Sequence, residues 1–219
     1  MTIHSTFGKL AFSLALAGTF LFPGLDARAA NDTTDTLNFV NYRDVRDLNP
    51  HLYAGEMYAQ EMLFETLVDI TADGYKPCLA ESRDISPDGK VYTFHIRKGV
   101  TFTDGTPCDA FAIKANFDAI LENRARHTWL EMMHLLEKVD APDAHTFRIF
   151  MKAPYWPMLT ERGVTRPFAI ISPKAMKNGS TKDGVTAYVG TGPYKLTKVV
   201  TDEYAVFEAN ETYWGEQPK

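Results

Sequence analysis

The sequence predicts a mixed α/β fold. Three observations carry it. Segments that alternate apolar and polar residues, such as Val91–Arg97 with Tyr92, Phe94 and Ile96 on one face, read as half-buried strands. Segments with apolar residues three and four apart, such as 110–123, read as helices. The two kinds do not alternate strictly along the chain, which argues against a simple doubly wound sheet.

The elements follow in order. Residues 1–30 read as a secretory signal peptide. Lys9 is the only cation before an apolar core, Leu10–Phe22, of thirteen residues. A membrane span needs about 20, and Ala27-Arg28-Ala29 supplies a small-x-small cleavage site. Thr36–Tyr42 alternates and reads as a strand; Asn49-Pro50-His51 is a turn; Glu56–Phe64 has helical spacing. Ser86–Lys90 is a turn before the strand at Val91, and Thr103–Pro107 another. Asp109 can cap the helix that buries Ile113, Phe117, Ile120 and Leu121. A second helical stretch is expected over about 127–137. His145–Met151 alternates, Pro154–Glu161 suggests a short helix, and Phe168–Ile171 an apolar strand. Ser172-Pro173 has the form of a helix start. Gly190–Pro193 precedes two strands, near 194–200 and 203–209.

Composition excludes several functions. With 45% hydrophobic and 23% charged residues the chain is neither disordered nor coiled-coil. A net charge of −5 without a Lys/Arg run makes nucleic acid a poor partner. Export would place Cys78 and Cys108 in an oxidising compartment. They either close a loop of roughly thirty residues, worth about 3 kcal/mol in the chain-entropy model, or remain two buried thiols.

Candidate catalytic sets are weak. His127, Glu131 and His134 would share one face of a continuous helix, which admits a metal-dependent hydrolase in principle. Their spacing is not that of the zinc-hydrolase pattern. Pro193 removes an amide where Gly190-x-Gly192 would need one to cradle phosphate. No Gly-x-Ser-x-Gly is present. A binding surface is the better reading. Arg126 and Trp129 stand three apart, so on a helix they share a face. Pro167 biases Arg166 toward extended geometry. Arginine plus aromatic suits a small anion: the guanidinium forks onto carboxylate, and the indole adds apolar area or cation–π contact.

Several segments extend this reading. Arg97–Ala110, Pro77–Ser82, Ser86–Lys90, Gly190–Tyr194 and Asn210–Gly215 stand in the order found in extracellular solute-binding proteins, family 5 (the peptide/nickel class that serves ABC importers). The chain resembles that family over most of 36–219. Leu48–Tyr53, Asn123–Glu131 and Arg166–Phe168 resemble its nickel-binding members in particular. The resemblance implies a class II periplasmic-binding-protein fold, with 31–219 forming most of the first lobe of a two-lobed protein. It implies no enzyme. It implies a periplasmic monomer that delivers a nickel(II)–organic chelator complex to a permease/ATPase complex in the inner membrane. By position, Arg126 and Arg166 would pair with chelator carboxylates, while Trp129, Tyr53 and Met57 would line the pocket. Placing Met57 takes a one-residue gap after Tyr53. Family chains are more than twice as long, so the chain is expected to be a truncated piece with half a site, and a direct histidine ligand to the metal is expected beyond residue 219. A peptide or other solute is the alternative ligand within the same class.

Overall fold

The structure, a computed structural model, describes residues 36–162 and 165–218. The expected signal peptide, 1–30, lies outside the described residues. Helix α1 spans Met57–Leu63. Four strands follow: β1 (Val68–Thr71), β2 (Gly74–Pro77), β3 (Ala80–Ile85) and β4 (Val91–Ile96). Helix α2 covers Ala110–Glu122, with the Asp109 carboxylate accepting from the Ala112 amide as the sequence suggests. Beyond it lie α3 (Glu131–Leu135), β5 (Leu136–Asp143), β6 (Thr146–Met151) and α4 (Met158–Arg162). Strands β7 (Met176–Lys177), β8 (Ser180–Val185), β9 (Tyr194–Val200) and β10 (Tyr204–Ala209) complete the described chain.

The central layer is an antiparallel sheet in the order β3-β4-β6-β5. Alternation in β4 and β6 buries Tyr92, Phe94, Ile96, Phe147, Ile149 and Met151 on one face. Helix α2 covers that face with Ile113, Phe117 and Ile120. Phe117 lies 4.9 Å from Phe147 and stacks on Phe168 at 6.1 Å; truncating so central a ring would cost about 3–5 kcal/mol. A second cluster joins α1 (Ala59, Leu63) to Val45, Leu48, Ala119, Ala169 and Ile171.

Several sequence expectations are corrected. Residues 36–42 form no strand: Leu37, Phe39, Val40 and Tyr42 are exposed, and no described strand offers them a ladder. The helix expected over 127–137 is broken. A 3₁₀ turn, Arg124–His127, ends before Leu130, which turns extended (φ −94°, ψ 119°), and α3 is a single short helix leading straight into β5. Arg124 fixes the break by donating from Nη1 to Met133 O and from Nη2 to Leu136 O, at 2.8 and 3.1 Å. Phe168–Ile171 is buried but belongs to no ladder. Its amides go elsewhere, Ile170 N to Glu65 O and Ile171 N to the Asn116 side chain, both at 2.9 Å. The helix starting at Pro173 is one 3₁₀ turn, and the Ser172 hydroxyl donates to Asp104 rather than capping it. Cys78 and Cys108 are buried free thiols, so the loop they could have closed is unbridged.

Candidate functional site

Three loops converge on the predicted residues, and buried polar side chains hold them. The Asn49 side-chain amide donates to Thr181 O at 2.8 Å, and Asn49 O accepts from Gln60 Nε2 at 2.9 Å. His51 Nε2 lies 3.2 Å from Ala169 O, which can only accept, so Nδ1 accepts from the Thr181 hydroxyl at 2.8 Å. Burial keeps the ring neutral, driving its pKa down from 6.5 to about 3, which leaves Nδ1 free to accept. Asn116, buried in α2, bonds to both the amide and the carbonyl of Ile171. These bonds fix 48–53 against 169–171 and β8, as expected where buried polar groups must be satisfied.

Tyr53 emerges from the first loop half-buried. Its hydroxyl accepts from Trp129 Nε1 at 2.9 Å and meets His127 Nδ1 at 2.7 Å. The tyrosine ring makes edge contacts with both, at centroid distances of 5.7 Å to His127 and 5.8 Å to Trp129. Burial raises the phenol pKa, while the Trp129 bond and the charges of Arg126 and Arg166 pull it back. Both guanidinium groups thus lie within electrostatic reach of one hydroxyl. Arg126 sits in the 3₁₀ turn, exposed, with no side-chain hydrogen bond or ion pair among the described residues. Arg166 is extended, as Pro167 dictates (φ −104°, ψ 132°). It donates from Nε to Gln60 Oε1 and from Nη2 to Gly55 O. Burial lowers its pKa, partly offset by Glu56 and Glu61.

The structure thus brings Tyr53, Trp129, Arg126 and Arg166 into one neighbourhood. None of its hydrogen bonds or ring contacts reaches Met57, which opens α1 and is 46% exposed. Trp129 is 62% exposed, so its indole is available to a ligand. Arg126 and Trp129 are not neighbours on a helix, as the spacing suggested; the 3₁₀ turn and the bend after it place them. The hydrolase set dissolves with that helix. His127 is buried against Tyr53, His134 donates from Nε2 to Thr128 O, and Glu131 is exposed. No group of three His, Cys, Asp or Glu among the described residues could hold a metal.

Sequence reasoning missed Gln60, Gly55 and His51, which seat Arg166 and the Tyr53 loop. A Gln between Ala59 and Leu63 on the buried face of α1 was the available signal. It also missed Glu65. That half-buried carboxylate accepts from the Thr191 and Tyr213 hydroxyls and Trp214 Nε1 at 2.7–2.8 Å. It ties Gly190–Tyr194 to Asn210–Gly215 behind α1.

Known proteins resemble the chain in sequence and fold. The model of bacterial extracellular solute-binding proteins, family 5 Middle, matches residues 74–219. The nickel-binding periplasmic protein of Escherichia coli is 42% identical over 216 residues, 98% of this chain and 40% of its own length. The glutathione-binding protein GsiB of Pectobacterium atrosepticum is 32% identical over 137 residues, 62% of this chain and 26% of its own. Among solved structures, NikA from Brucella suis in complex with Fe(III)-EDTA superposes with a TM-score of 0.82 at 46% identity, over 83% of this chain and 37% of that one. DppA from Helicobacter pylori in complex with the peptide STSA gives 0.66 at 28% identity, over 80% of this chain and 39% of that one. The chain spans about 40% or less of the length of these relatives.

Proposed function

The chain belongs to the bacterial extracellular solute-binding proteins, family 5, and from that premise we propose that it carries one half of a site for an anionic metal chelate, nickel(II) in a small organic chelator. The full protein would deliver this cargo in the periplasm to an ABC importer of the inner membrane, as a binding protein rather than an enzyme. The N-terminal thirty residues would direct export. The observation that carries the reading is that Arg126 and Arg166, from two separate segments, both lie within electrostatic reach of the Tyr53 hydroxyl that holds Trp129.

The chemistry fits the cargo. Hydrated nickel alone would want imidazole, thiolate or carboxylate ligands, whereas Arg126, Arg166, Tyr53 and Trp129 offer cations and apolar rings. Two guanidinium groups suit the outer carboxylates of a chelate, each by charge-assisted pairs. Trp129, Tyr53 and Met57 would supply the apolar wall, which strengthens ion pairs by excluding water. Relatives described as nickel-binding and as complexed with Fe(III)-EDTA support this reading. A peptide ligand is the second reading, supported by the glutathione-binding relatives and the peptide complex.

Calorimetric titration separates the two. The chain should bind Fe(III)–EDTA and nickel–histidine chelates weakly, having half a site, and should not bind glutathione or a tetrapeptide. Arg126→Ala should weaken chelate binding by about tenfold, near 1.4 kcal/mol. Binding of glutathione but of neither chelate would replace this proposal with the peptide reading.

A further inference from the structure

The two nitrogens of His127 have unequal surroundings. The residue is fully buried. Nδ1 meets the Tyr53 hydroxyl at 2.7 Å, but Nε2 is buried with no hydrogen-bond partner among the described residues. An unmet buried polar atom destabilises the fold, a penalty that an apolar ring of similar size would escape. A histidine that leaves one nitrogen unsatisfied is accounted for by what the other one does.

The direction of the indole bond follows from donor chemistry. Trp129 Nε1 can only donate, so the Tyr53 oxygen accepts from it at 2.9 Å. We assign the hydroxyl proton to His127 Nδ1, so that the ring, kept neutral by burial and by the Arg126 charge, carries its proton on Nε2. The chain runs indole to hydroxyl to imidazole, and each bond fixes the next ring.

We propose that His127 is a positioning residue for the candidate site: anchored in the core, it orients the Tyr53 hydroxyl, which in turn holds the exposed Trp129 indole in place before any ligand arrives. The proposal takes its functional meaning from the ligand site proposed above. Trp129 is 62% exposed, and this bond to Tyr53 ties its ring to the protein. A preset wall lowers the ordering cost of binding, because the indole is already immobilised. The Tyr53 proton is committed inward, so a ligand meets the ring and an oxygen lone pair, not a hydroxyl donor. That favours cargo whose charge is met by Arg126 and Arg166 over cargo that needs a donor at Tyr53.

The test reads the indole N–H of Trp129 in the 219-residue chain by ¹H–¹⁵N NMR. His127→Phe should shift this resonance and speed its exchange with solvent. His127→Asn, whose Oδ1 stands where Nδ1 stood, should leave both nearly unchanged. With Fe(III)–EDTA as probe, His127→Phe should bind about tenfold more weakly and His127→Asn about as well as the unmodified chain. An indole resonance unmoved by Phe, or moved equally by Phe and Asn, overturns the proposal. If the unmodified chain does not bind Fe(III)–EDTA, the functional reading fails, while the resonance still decides the role of His127. If His127→Phe does not fold, the ring nitrogens of the unmodified chain decide: protonation at Nε2 at neutral pH supports the proposal, protonation at Nδ1 overturns it.

Discussion

Arg126 and Arg166 carry the same group under different constraints. Arg166 is tethered by Gln60 and the Gly55 carbonyl, whereas Arg126 extends from an exposed turn with no polar partner among the described residues. Their alanine variants should differ accordingly. Arg126→Ala should leave stability within about 0.5 kcal/mol of the parent, as for surface sites away from special features. Arg166→Ala strands the Gln60 and Gly55 oxygens and should cost about 1–3 kcal/mol. Urea denaturation checks both; equal losses would contradict the assignment of tether and free cation. The extended geometry of Arg166 was legible because Pro167 follows it. The role of His127 was not, since a hydroxyl 74 positions away in sequence supplies its partner.

Among elements, the legible ones have unbroken periodicity. β4, β6 and α2 lie close to where period and caps put them. β5 was hidden because its register shifts twice against β6, between Leu136 and Lys138 and between Asp140 and Asp143, which destroys alternation. The β7–β8 hairpin carried a signal that a helical reading of Pro173 obscured: Asn178 and Gly179 both take positive φ, 52° and 77°, as a tight hairpin turn requires. Phe168–Ile171 looks like a strand because it is apolar, yet Asn116 and Glu65 take its amides. The turn at Gly190 packs against the end of α1 so closely that an added Cβ would stand 1.9 Å from Leu63 O. Gly190→Ala should therefore destabilise by about 3 kcal/mol or more, read as a lowered melting temperature. Glu65→Ala should cost at least as much, because it strands three donors from Thr191, Tyr213 and Trp214.

At the scale of the whole molecule, buried histidines predict acid sensitivity. Burial lowers the pKa of His51 from 6.5 to about 3, and of His127 to about 4. Between those values and 6.5 the unfolded chain binds protons that the folded one refuses. Their stabilising contribution is complete above pH 6.5 and is lost as pH falls through this window, at about 1.4 kcal/mol per pKa unit for each ring. Stability measured from pH 7 to 4 should fall, and His51→Gln should flatten the slope; a slope unchanged by that variant would contradict a neutral, buried His51. The family was legible in dispersed motifs, and the structure supplies a physical reason: Glu65, Arg97 and Trp214 bind several of them together. Arg97 lies 4.5 Å from the Trp214 ring and donates from Nε to Cys78 O. What no local pattern revealed was that three loops, held by Asn49, His51 and Asn116, deliver the site residues to one place.

The most direct test exploits the unpaired electrons of iron. Fe(III)–EDTA broadens nearby NMR signals with a steep dependence on distance, and its gallium counterpart is the diamagnetic control. The account predicts broadening centred on the Trp129 indole, the Arg126 and Arg166 side chains and the Tyr53 ring, and its loss in Arg126→Ala. Broadening centred elsewhere, or spread evenly over the surface, would contradict it.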